Sequence, residues 1–92
     1  MQKESNQLIE QACVEALEKF KKTKKNDYTP IIEKIEFLLG SYRYDRNPVG
    51  LYEVAEESLS EFKKMRQKNA RSVAKKLVEN LNKAISTREA LN

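Results

Sequence analysis

The stretch Phe62–Lys76, F-K-K-M-R-Q-K-N-A-R-S-V-A-K-K, decides the topology of the chain. Before it, Leu51, Tyr52, Ala55, Ser58, Leu59, Phe62 and Met65 recur at helical spacing. After it, Val73, Ala74, Leu77, Val78, Leu81, Ala84 and Ile85 do the same. With Lys64 as the zero of rotation, the first stripe centres near roughly 150° and the second near roughly 250°. One straight helix cannot turn both stripes toward one core. Between Arg66 and Ser72 only Ala70 is apolar, and Asn69 suits a helix cap. The phase jump therefore predicts a break around Lys68–Arg71 and four helices. The rival is a single C-terminal helix of roughly 40 residues, about 60 Å long, which would give three helices and call for a dimer.

The first half is punctuated by Pro30, Gly40, Pro48 and Gly50. A first helix is predicted from Glu4 or Ser5 to Lys22, with Leu8, Ile9, Ala12, Cys13, Ala16, Leu17 and Phe20 on its stripe. Glu15 with Lys19 and Glu18 with Lys22 are acid-first pairs four residues apart. Lysines at its end, including Lys24 and Lys25, suit the negative pole of the helix dipole, and Asn26-Asp27 makes the turn. A second helix starts at Thr29-Pro30, with threonine as cap and proline at the first helical position. Ile31, Ile32, Ile35, Leu38 and Leu39 form its face, Phe37 points away, and Gly40 is the expected stop. This short helix is the most apolar segment and is expected at the centre of the bundle. Ser41–Asn47 then reads as a loop, and Asn47-Pro48 opens a third helix ending near Met65 or Arg66. The tail Arg88–Asn92 is expected to fray.

With 92 residues, 39% apolar and 35% charged, the chain suits one all-α domain, an antiparallel four-helix bundle. The net charge of +4 is uneven. Residues 1–47 carry nine basic and eight acidic side chains, and 48–92 carry nine and six. No apolar run reaches the roughly 20 residues of a membrane span. The N-terminal M-Q-K-E-S-N-Q lacks the apolar core of a secretion signal, so a cytoplasmic protein is expected.

Catalytic chemistry has little to stand on. Histidine is absent, which removes the commonest general base and metal ligand. Cys13 sits on an apolar stripe and reads as a small buried hydrophobe; being alone, it forms no internal disulfide. Glu33 with Glu36, and Glu53 with Glu56 or Glu57, read as solvated residues, so no metal and no cofactor is expected. Neither glycine belongs to a phosphate-binding loop.

Two features point to binding. The segment Y-R-Y-D-R gathers Tyr42, Arg43, Tyr44 and Arg46, residue types enriched at protein hot spots, and Phe37 extends the patch. The competing structural role is that Tyr42 and Tyr44 close the end of the bundle while Asp45 pairs with Arg43 or Arg46. The second feature is the basic stretch itself. If it were helical throughout, Lys64, Lys68, Arg71 and Lys75 would fall within about 60° of one another, a ridge able to neutralise phosphates. The simpler reading is a solvated face.

In size, charge and helical layout, with a second helix of the form Y-T-P-I-I-E-K-I-E-F-L-L, the chain is similar to small bacteriocin-immunity proteins. These are cytoplasmic four-helix bundles that protect a bacterium from its own peptide toxin. The resemblance implies a non-enzymatic role exerted through another protein. The expectation is a protein-interaction module, of immunity or adaptor type, whose partners include a second copy of itself. Nucleic-acid binding by 63–76 is the alternative.

Overall fold

The computed structural model describes residues 2–23 and 28–90, with side chains for 6–23 and 28–87. Four helices make up the fold: α1 (Gln2–Thr23), α2 (Thr29–Asp45), α3 (Val49–Lys68) and α4 (Lys75–Ala90). The turn expected at Asn26-Asp27 lies outside the described residues, as do Lys24 and Lys25. The backbone stays helical to Ala90, so the tail expected to fray from Arg88 continues α4 as far as Ala90; Leu91 and Asn92 lie outside the described residues.

The helices run up, down, up, down. Lys21 meets Glu36 and Arg43 meets Glu10, so α2 opposes α1. Cys13 meets Leu51 and Phe20 meets Phe62, so α3 runs with α1. Tyr52 faces Thr87, so α4 opposes α3. The predicted break is present: α3 ends at Lys68 and α4 begins at Lys75.

The centre belongs to α1 and α3, each of which packs on the three other helices. Here the expectation of a short central second helix is corrected. α2 spans 17 residues and packs on α1 and α3 but barely meets α4. The reason is the width of the apolar arcs. α2 buries only Ile35, Leu39 and Tyr42, one narrow stripe. α3 buries Leu51, Tyr52, Val54, Ala55, Ser58, Leu59 and Phe62, a broad arc. Small residues, Ala12, Cys13 and Ala16 on α1 and Ala55 and Ser58 on α3, let the diagonal pair close up. The Cys13 thiol reaches the Leu51 carbonyl at 3.4 Å, which shows how near the two helices lie. The bundle is accordingly flattened, 36 × 24 × 15 Å. At one end Phe20 stacks on Phe62 with centroids 4.6 Å apart and meets Tyr28 at 5.1 Å, joining α1, α3 and the start of α2.

The second correction is where α2 ends. Gly40 has no positive φ and the helix runs through it. Tyr42 continues the inward register of Ile35 and Leu39, and burying its ring favours another turn of helix. The left-handed position falls to Arg46 instead (φ 61°, ψ 20°), whose N–H donates to the Tyr42 carbonyl at 2.6 Å. The cap of α3 falls on Pro48 rather than on the expected Asn47, which sits one residue earlier and whose Oδ1 accepts the Val49 N–H at 3.2 Å. Among the described residues no helix is long and apolar enough to cross a membrane.

Candidate functional site

The longer α2 redistributes the residues of the Tyr/Arg segment. Tyr42, expected on a binding surface, is 4% exposed and belongs to the core. Its side chain closes the bundle, as its alternative role required. Arg46 lies over the Tyr42 ring, 5.9 Å from the centroid. The Arg43 Nε donates to the Glu10 carboxylate of α1 at 3.2 Å. Asp45 accepts the Asn47 N–H at 2.9 Å and so belongs to the turn. Tyr44 does not close the bundle: it is 93% exposed.

Phe37 is the other large exposed side chain of α2, at 73%. It lies seven residues before Tyr44, two helical turns and about 10.5 Å along the axis, so both rings stand on one face. That face is turned away from Ile35, Leu39 and Tyr42. Glu33 precedes it, one turn before Phe37, and Gly40 and Ser41 lie between the rings. A Cβ placed on Gly40 would meet nothing within 4 Å, which leaves bare backbone between two aromatic side chains. Of the five residues expected at the site, the structure thus joins Phe37 and Tyr44 on one surface. Arg43 and Arg46 stand beside it and Tyr42 beneath it. Gly40 and Ser41 were missed because Gly40 was read as a stop. The helical spacing of Ile35, Leu39 and Tyr42 was the signal that would have kept them in the helix.

The basic stretch is reorganised by the break. Residues 69–74 leave helical geometry, so Lys64, Lys68, Arg71 and Lys75 do not line up on one helix. Arg66 is an internal clamp. Its Nη1 donates to the carbonyls of Ala70 (3.1 Å) and Val73 (2.7 Å), closing the linker onto α3. Asn69 completes the turn: its Oδ1 accepts the Arg71 N–H at 3.0 Å, and its carbonyl accepts the Ser72 hydroxyl at 2.7 Å. Val73, held here, is buried. A groove of about 1140 Å³ opens beside this junction, with Lys64 and Lys68 on its wall together with Lys19 and Lys34. Glu57 and Glu61 offset part of that charge, pairing with Lys34 at 2.6 Å and Lys64 at 3.8 Å. Arg71 and Lys75 are not part of its lining.

Cys13 is 1% exposed, and its thiol is pushed up from an ordinary 9.0 to about 12 by burial, with Glu10 adding to the rise. It stays protonated, a poor nucleophile. Among the described residues no three His, Cys, Asp or Glu side chains gather as metal ligands would. No family model, curated protein or solved structure matches the chain.

Proposed function

We propose that the protein is a non-enzymatic interaction module that docks another protein on the outward face of α2. The observation that carries this reading is the pair Phe37 and Tyr44, 73% and 93% exposed, on one face around a bare Gly40. Aromatic rings give a large contact area at small entropic cost. Keeping two of them in water on a helix with no internal use for them has no folding benefit. An adaptor or immunity role fits such a module, with the partner setting the biology.

Nucleic-acid binding has less support. Arg66 is committed to the linker, and acidic side chains interleave the lysines of the groove. The double variant Phe37→Ala/Tyr44→Ala tests the docking face. Capture of the partner from the cells that make the protein falls by about tenfold or more, as expected for paired aromatic anchors, while the melting temperature stays unchanged. Undiminished capture would contradict the reading.

A further inference from the structure

Resting on that docking face, we propose that its occupant is a second copy of the chain, the two α2 helices pairing antiparallel across a two-fold axis between Gly40 and Ser41. The face is self-complementary in three ways. Its aromatic residues are equidistant from that axis, so Phe37 of each copy meets Tyr44 of the other, as an isologous contact requires. The axis falls where the backbone is barest. Nothing lies within 4 Å of a Gly40 Cβ, and two helices can approach there to the short end of the usual 8–10 Å spacing. A glycine inside a helix is unfavourable, and no contact among the described residues explains this one.

The charges match as well. At about 100° per residue, Glu36 and Arg43 flank the face on one side and Lys34 and Asp45 on the other. In an antiparallel two-fold pair, like flanks meet. Glu36 of one copy then lies within about 3 Å, along the axis, of Arg43 of the other, and Lys34 stands likewise to Asp45. Each of these groups is already held beside the face. Glu36 pairs with Lys21 at 2.9 Å, Arg43 with Glu10 at 3.2 Å and Lys34 with Glu57 at 2.6 Å, while Asp45 holds the Asn47 N–H. Little ordering remains to be done on association. One helix face per copy gives an interface at the small end of the specific range, below about 1,200 Å², so a weak dimer follows, half-formed near ~100 µM.

Sedimentation equilibrium from ~1 to ~500 µM reads the association directly. The wild type passes from monomer to dimer across that range, and Phe37→Ala/Tyr44→Ala moves the midpoint up by roughly tenfold or more. Gly40→Leu, whose Cβ would meet no described atom within 4 Å in the monomer, does the same without unfolding it. Cysteine placed at the paired positions reads the register. Buried Cys13 stays out of the reaction. Under mild oxidation an equimolar mixture of F37C and Y44C cross-links at least about threefold more than either alone, because facing positions meet the short Cβ separation a disulfide needs. A wild type monomeric at ~500 µM, or like-with-like cross-links exceeding the mixed product, overturns the proposal. If such a monomer still loses partner capture in Phe37→Ala/Tyr44→Ala, self-pairing falls and the docking face stands. If capture is also untouched, both fall.

Discussion

Single residues carry opposite consequences according to what surrounds them. Gly40 sits in mid-helix with open space where a side chain would be, so Gly40→Ala raises monomer stability by about 0.5–1 kcal/mol. Chemical denaturation at about 1 µM, where self-pairing contributes nothing, measures the gain. Gly50 is different: a Cβ there would come within 2.7 Å of Leu38 Cδ2, at the close approach of α3 to α2. Cys13 is a pH-dependent element of the core. In the folded protein its thiol holds its proton to about 12, whereas in the unfolded chain it ionises from an ordinary 9.0. The unfolded state therefore binds fewer protons in that window, and stability falls as pH rises through it. Cys13→Ala removes this slope. Denaturation curves between pH 8 and pH 10.5 check it: the wild type loses ground relative to the variant by up to about 1.4 kcal/mol per pH unit above 9. Parallel curves would contradict the burial of the thiol.

At the scale of elements, the junction between α3 and α4 separates structural charge from solvated charge. Arg66 makes two hydrogen bonds to linker carbonyls, while Lys68, two residues on, is exposed. Arg66→Ala costs about 1–2 kcal/mol, and Lys68→Ala changes stability by less than about 0.5 kcal/mol. Thermal melts of the two variants decide it; equal losses would mean that the linker is not clamped. The break itself was legible because a change in direction of an apolar stripe is a sequence property. Arg66 as its clamp was not, since seven basic residues in one stretch look alike until the backbone turns back on one of them. The end of α2 was misread for a related reason. Gly40 permits a helix to stop but does not force it, and Tyr42, buried in register with Leu39, outweighed it. The starts of α2 and α3 were legible within one residue, at Thr29 and Val49, whereas α1 begins at Gln2, two residues before the earliest expected start.

For the whole molecule, four helices and up-down order follow from stripes and short connections, but which pair occupies the centre does not. Apolar content pointed to α2. Arc width and small residues put α1 and α3 there, and α2 was left at one side with a free outer face. That flanking place is what turns Phe37 and Tyr44 outward. It makes α2 the helix with both a core stripe and an uncommitted aromatic surface. The exposed pair was half legible: the residue types were visible, but their common face required α2 to continue past Gly40. The most direct test is a dilution series followed residue by residue in amide nuclear magnetic resonance spectra, from ~500 to ~10 µM, spanning the association range of a weak dimer. Self-pairing through α2 gives concentration-dependent shifts confined to Glu33, Phe37, Gly40, Ser41, Tyr44 and their flanking charges. Spectra that do not change, or changes centred on the groove beside Lys64 and Lys68, would contradict it.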